Sequence, residues 1–274
     1  MIFNAHQFEP PLFDFIESMF HFKGFMPDHS IERVVPTGHV FIIFELDGIR
    51  RNTFDNETLK PLANYEKVWV SGVHKNYLSI SAHENSEMFV IQFKPYGALP
   101  FIHQFIGELN DLVVPAEDVF GQEILDLHQL IQAASTSEDK FSKGEAWLNE
   151  RFDQAMIPPA ALVDVLSELD KQPVVKYQDV IDKYPHTQKH LIDQFKKYIG
   201  LTPKYYQRMR RFNDILQLIQ KKQGLNWSDV ALQCGYTDQS HFIKEFRHFS
   251  GFNPTEFIQK KYHNDEPNFF PVDR

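Results

Sequence analysis

Residues 227–254 read WSDVALQCGYTDQSHFIKEFRHFSGFNP, and the same pattern stands earlier in the chain, at 177–203, as YQDVIDKYPHTQKHLIDQFKKYIGLTP. At an offset of 51, Gln188, His190, Ile192, Phe195, Gly200 and Pro203 meet Gln239, His241, Ile243, Phe246, Gly251 and Pro254. Leu191 meets Phe242, and Lys196 meets Arg247. Asp179-Val180 matches Asp229-Val230 at an offset of 50, so the missing residue falls in the turn between the two helices of the first copy. Self-similarity of this kind marks a repeated supersecondary unit.

Each copy predicts a helix, a tight turn and a second helix. In the later copy Asn226 and Asp229 make a relative of the capping box. Gly235 supplies the left-handed residue that ends the first helix, and Thr237 or Asp238 caps the next. The 3.6 period puts Phe242, Phe246 and Phe249 on a buried face and Ser240, Lys244 and Arg247 on the opposite one, with Gln239 at the exposed front. Amides, hydroxyls and cations there are the groups that read base edges in a major groove. Between the copies, residues 203–222 predict one helix. Phe212, Ile215, Leu216 and Ile219 form its apolar face, and Lys204, Arg208, Arg210, Arg211, Lys221 and Lys222 lie elsewhere. Such a rod spans about 30 Å at 1.5 Å per residue, close to the ~34 Å between successive groove entries. A lone helical hairpin reads equally well as packing; two copies on one basic rod favour DNA.

Charge agrees. The 274 residues carry a net −9, but residues 1–170 hold 11 Lys+Arg against 26 Asp+Glu, while residues 171–274 hold 17 against 11. A basic module of net +6 therefore follows an acidic one, with Lys171-Gln172-Pro173 as the boundary. The expected division is 1–170, 171–262 and a tail at 263–274.

The C-terminal hundred residues resemble the tandem helix-turn-helix domain of the AraC/XylS transcription regulators. ALQCGYTDQSHFIKEFRHFSGFNP carries that family's signature. The resemblance implies double-stranded DNA as partner. It gives base-reading roles to Gln239, Ser240, His241 and Lys244, and in the first copy to Gln188 and Lys189. Lys196, Lys197, Lys204, Arg208, Arg211 and Arg247 are the expected phosphate contacts. The first copy departs from the family: Pro185 stands at the turn glycine, and Ile192 and Asp193 stand where long polar side chains are usual. The second copy is therefore expected to supply most base discrimination.

The acidic half predicts mostly strands. IERVVP, VFIIFEL, KVWVSGV, YLSISA and MFVIQFKP, between residues 31 and 95, are short, β-branched and aromatic, with turn residues between them. They suggest an antiparallel sandwich or small barrel, giving an α+β chain with an all-α C-terminal domain. LFDFIESMF, 12–20, reads as a short helix; QEILDLHQLIQAA, KGEAWLNERFDQAM and AALVDVLSEL read as amphipathic helices. This half also resembles the cupin-like sensor domains that precede such DNA-binding domains. That resemblance implies a small-molecule effector, a homodimer and contact with RNA polymerase. The apolar stripes of helices 122–134 and 143–156 are the expected dimer surface.

The rivals are a cupin-type metal enzyme fused to a DNA-binding domain and an interaction protein with an acidic partner. His6, His21, His29, His39, His74, His83 and His103 include no His-x-His pair, so packing or surface roles are expected, with no metal site or cofactor. No Gly-x-Ser-x-Gly or phosphate-binding loop stands in the sequence, and no catalytic residue is expected. Cys234 is the one cysteine, which excludes an intramolecular disulfide. Arg33, Arg50, Trp69, Tyr77 and Phe93 are pocket candidates without an assigned ligand. The N-terminus lacks the basic start of a secretory signal, and no apolar run is long enough to span a membrane, so a cytoplasmic protein is expected.

Overall fold

The computed structural model describes residues 2–172, 174–221, 230–232, 234–236, 238–259 and 268–273. Asn226, Asp229, Thr237 and Lys222 lie outside them, and of Lys221 only the helical backbone is described.

Residues 2–115 form two antiparallel sheets. Strands β1 (Ile2–His6), β2 (Ile16–Phe25), β3 (Ile31–Val34), β4 (Phe41–Glu45), β5 (Arg51–Phe54), β6 (Pro61–Tyr65), β7 (Val68–Ser71), β8 (Leu78–Ser81), β9 (Ser86–Phe93) and β10 (Val113–Pro115) follow in order. One sheet runs β1-β2-β9-β4-β7-β10; the other runs β3-β8-β5-β6 and gains a further strand, β11 (Phe269–Pro271), from the end of the chain. The five expected strand runs are β3, β4, β7, β8 and β9. Arg51 on β5 reaches Glu45 on β4 (Nε to Oε2, 2.9 Å), an ion pair between the two sheets.

The expected helix at 12–20 is a correction. Only Leu12–Asp14 winds, as a single 3-10 turn, and Ile16 begins a ten-residue strand. Apolar positions 12, 13, 15, 16, 19 and 20 suit either period. Pairing with β1 on one side and β9 on the other decides, with Met19 opposite both His6 and Ile91.

Helices Gln122–Ala133, Ser137–Arg151 and Ala160–Lys171 follow. The second starts at Ser137, ahead of the expected Lys143, because Thr136 Oγ1 accepts from the Asp139 N–H at 3.1 Å. Their stripes are spent inside the chain: Ile124, Leu127, Ile131, Phe141, Trp147 and Leu148 are all buried. Phe141 meets Phe89 of β9 at 5.9 Å between centroids, and His128 Nε2 donates to the Glu45 carbonyl at 2.7 Å. These stripes cover a sheet of the same chain, while Leu130 of the first helix stays exposed.

The C-terminal half carries Tyr177–Ile181, the helix Gln188–Tyr198 (the expected first recognition helix), the linking helix Pro203–Lys221, the helix Gln239–Ser250 (the expected second recognition helix) and a closing helix Pro254–Gln259. The linking helix buries Phe212, Ile215, Leu216 and Ile219, as its period predicts. Phe212 packs on Phe246 and Phe249 at 5.6 and 5.2 Å, and Tyr206 packs on Phe195 at 6.2 Å. One rod thus joins both units through aromatic contacts at Tyr206 and Phe212. Within the expected tail, β11 pairs with β3, setting Phe270 opposite Arg33, and Phe270 is buried against Phe257 at 4.8 Å.

Candidate nucleic-acid interface

Repeat-equivalent residues cap the two recognition helices. Thr187 Oγ1 accepts from the His190 N–H at 3.2 Å, and Asp238 Oδ1 accepts from the His241 N–H at 2.8 Å. The caps satisfy amides that a helix start leaves open, and Asp238 also sets a negative charge at the positive end of the dipole. Gly235, at φ +72°, makes the tight turn before the second helix, and Arg211 Nη1 donates to its carbonyl at 3.4 Å.

Leu191, Phe195 and Tyr198 of the first helix, and Phe242, Phe246 and Phe249 of the second, are buried. The opposite faces are open. Gln188, Lys189, Gln239, Ser240, His241 and Lys244 are all exposed, as are Lys196, Lys204 and Arg247. The expected base readers therefore stand at two capped, exposed helix fronts, one on each unit packed against the linking helix. That helix has 19 residues, about 28 Å at 1.5 Å each.

Three of the expected phosphate contacts have partners within the chain. Arg208 forks onto Glu245, Nε to Oε2 at 2.9 Å and Nη2 to Oε1 at 2.6 Å, and lies 5.0 Å from the Tyr205 ring centroid. Arg211 stands 5.3 Å over the ring of Tyr236. Lys197 Nζ stands 5.4 Å from the ring of Phe105, in the sheet half. Burial alone would push the Glu245 carboxyl up, but the Arg208 fork outweighs it and holds that group below the usual carboxylate range. Burial pushes the Cys234 thiol up to about 11, as suits a small core residue.

Three features had no local sequence signal. Tyr184 OH meets His190 Nδ1 at 3.0 Å, and His186 packs on His190 at 4.7 Å, forming an aromatic cluster at the front of the first helix. A groove of about 620 Å³ runs between the sheet half and the first unit, lined among others by Lys75, Phe105, Asp193, Lys196 and Tyr205. Arg33 and Tyr77, pocket candidates from sequence, instead meet the end of the second recognition helix: the guanidinium lies 4.6 Å from the Tyr77 ring and 4.5 Å from the Phe252 ring.

The histidines of the sheet half have dispersed partners. His39 Nδ1 donates to the Phe93 carbonyl at 2.8 Å, His74 Nε2 meets Ser71 Oγ at 3.1 Å, and His83 Nε2 meets Ser81 Oγ at 2.9 Å. Among the described residues no three His, Cys, Asp or Glu side chains stand together as a metal-binding group, and no helix is long and apolar enough to cross a membrane.

Residues 184–260 match the family model described as a helix-turn-helix domain, and residues 5–115 match a domain of unknown function, DUF6597. The HTH-type transcriptional activator RhaS of Escherichia fergusonii is 25% identical over 160 residues, 56% of this chain and 49% of that protein. LumQ of Photobacterium leiognathi, described as a transcriptional regulator, is 25% identical over 187 residues, 65% of this chain and 74% of its own. The chain thus spans about half the length of RhaS. A solved structure of ToxT from Vibrio cholerae covers 88% of this chain and 98% of its own at 13% identity and a TM-score of 0.46.

Proposed function

We propose that the chain is a sequence-specific DNA-binding transcription regulator of the AraC/XylS type with no enzymatic activity of its own, a reading supported by the helix-turn-helix model matched at residues 184–260. One observation carries this reading: two repeat-related, capped helix fronts, rich in amide and cationic side chains, are exposed on two units that pack against a single 19-residue rod. A rod of about 28 Å suits two helices entering successive major grooves on one face of a duplex. In this reading Gln239, Ser240, His241 and Lys244 read bases, assisted by Gln188 and Lys189. Lys196, Lys204 and Arg247 hold phosphates. Arg208, Arg211 and Lys197 set the protein surface that phosphates meet, through their contacts to Glu245, Tyr236 and Phe105.

The sheet half acts as the sensor of a small effector, and its contacts to both helix-turn-helix units are the route by which it reports. The relatives' descriptions as transcriptional activator and transcriptional regulator support the output. Selection of duplexes from a randomised pool by the full chain tests the reading. The expected result is a bipartite motif with two short boxes about one helical turn apart, bound less tightly as salt rises because Lys and Arg displace condensed counterions. Recovery of no enriched motif overturns it.

A further inference from the structure

Gly200 and Gly251 hold the same position in the two repeat copies, just past the ends of the recognition helices. Both are left-handed, at φ +83° and +73°. Their N–H groups close the helix ends onto Phe195 O at 3.0 Å and Arg247 O at 2.9 Å. Their carbonyls then point outward, and a side chain of the sheet half takes each one. Asn110 Nδ2 donates to Gly200 O, and Arg33 Nη1 donates to Gly251 O at 3.1 Å.

Neither glycine has room for a side chain. A Cβ on Gly251 would lie 2.6 Å from Tyr77 Cζ and 2.8 Å from Arg33 Nη1. One on Gly200 would collide with the Asn110 side-chain oxygen. Beside Asn110, Gly107 approaches the backbone so closely that its own Cβ would stand 2.9 Å from Lys196 O.

The two gripping residues come from unrelated parts of the sheet half. Arg33 sits on β3, and Asn110 closes the 3-10 turn Ile106–Leu109. Packing that served stability alone has no reason to select the same register of both copies. The linking helix meets the first unit through Tyr206 and the second through Arg208 and Phe212, all in its first ten residues. A third body touching the equivalent point of both units closes the frame. The loop at 36–40 adds a contact to the rod itself, where Asn213 Nδ2 donates to Pro36 O at 3.0 Å. One base pair added between two half-sites moves the second by ~3.4 Å and turns it by ~35°, so a frame that resists such motion selects a spacing.

We propose that Arg33 and Asn110 are positioning residues for DNA reading: by holding repeat-equivalent glycines of both helix-turn-helix units, they fix the separation and rotation of the recognition helices and restrict the protein to one half-site spacing. The proposal rests on the regulator reading, and two measurements on the full chain separate them.

The first needs no DNA. Spin labels at Lys189→Cys and Ser240→Cys report the distance between helix fronts, and buried Cys234 stays unlabelled. The expected result is one narrow distribution in the parent, broadened in Arg33→Ala and in Asn110→Ala and broadest in the pair, so the result does not hang on the double variant folding. An unchanged width in all three overturns the proposal. The second uses the duplex that the parent selects from a randomised pool, with and without one inserted base pair between the boxes. The parent should lose at least about tenfold on insertion, and the double variant about threefold or less, with box sequences unchanged. An equal penalty in both overturns the clamp while leaving the regulator reading intact. If no duplex is selected, the regulator reading falls, and the label distances still decide whether the clamp exists.

Discussion

The carboxylate of Glu245, on the second recognition helix, accepts two hydrogen bonds from the guanidinium of Arg208 on the linking helix, at 2.9 and 2.6 Å. The fork ties the rod to the helix that presents Gln239 and Lys244, on a face where Glu245 is buried and Arg208 is half-buried. A bidentate pair fixes direction as well as distance.

Removing Arg208 leaves a buried carboxylate without its fork, so Arg208→Ala should cost about 2–3 kcal/mol at pH 7 in urea unfolding. Replacing both residues by apolar ones of similar size should cost less. Because the folded carboxyl lies below its usual range, its contribution is complete above the unfolded value and fades as pH falls through the folded one. The gap between parent and Arg208→Ala should therefore narrow on acidification below about pH 4.3, the ordinary Glu value. A gap that is constant from pH 7 to pH 3 would show that the charge pair contributes nothing.

Base reading and phosphate contact should separate by substitution. Gln239→Ala or Lys244→Ala should relax the preference at particular base pairs, by about 1–3 kcal/mol each. Lys204→Ala or Arg247→Ala should weaken all sequences alike and reduce the salt slope by about one. Binding-site selection on each variant measures both effects. An unchanged preference in Gln239→Ala and Lys244→Ala, with a changed one in Asp193→Ala, would transfer the reading role to the first copy.

These tests rest on the part of the molecule most legible in the sequence. Leu191, Phe195 and Tyr198, like Phe242, Phe246 and Phe249, obey a local 3.6 period, and Asp238 stands where a cap is needed. What stayed hidden depends on distant partners. Residues 16–25 are a strand because β1 and β9 flank them, and nothing within LFDFIESMF distinguishes that from a helix. The β5–β6 hairpin, RNTF with PLANY, is short and half polar, so its alternation is weak. Asn110 and Arg33 meet glycines 90 and 218 residues away, and no spacing rule reaches so far. The same holds for the stripes of 122–133 and 137–151: their period announces a buried face but not which surface buries it.

His74 supplies a pH signature for the sheet half. Burial lowers its pKa to about 4, against a small opposing pull from Asp111. The folded ring stays neutral where the unfolded one, near pH 6.5, takes a proton. Stability should therefore be full above about pH 6.5 and fall as pH drops toward about 4, where the folded ring also protonates. The loss over that window is about 3 kcal/mol for a shift of this size. His74→Gln should remove that part of the slope, with the unfolding free energies of parent and variant drawing together between pH 7 and pH 4. Parallel curves would mean that His74 titrates normally in the folded protein.

The end of the chain should hold the two halves together. Phe269–Pro271 pairs with Ile31–Val34, and flanking bonds run from Val35 N to Asn268 O and from Val272 N to Ile31 O, both at 2.9 Å. The Asp273 carboxylate accepts from the Ser30 and Ile31 amides at 3.1 and 2.9 Å. Burial works against that charge, but the Ser30 and Ile31 bonds prevail and hold the carboxyl below its usual value. Phe270 lies opposite Arg33 on the strand that also grips Gly251, so the tail supports that contact from behind. Ending the chain at residue 267 strips one side of β3 of its backbone partners and opens a sheet edge. The Val35 amide should then exchange much faster with solvent, while amides of β4 and β9 in the other sheet keep their rates. Phe270→Ala, which removes a buried ring but keeps the strand, should cost about 3–5 kcal/mol and leave Val35 protected at low denaturant. Hydrogen exchange read residue by residue distinguishes the two variants. Equal protection of Val35 in the parent and in the shortened chain would show that the terminal strand does not hold β3.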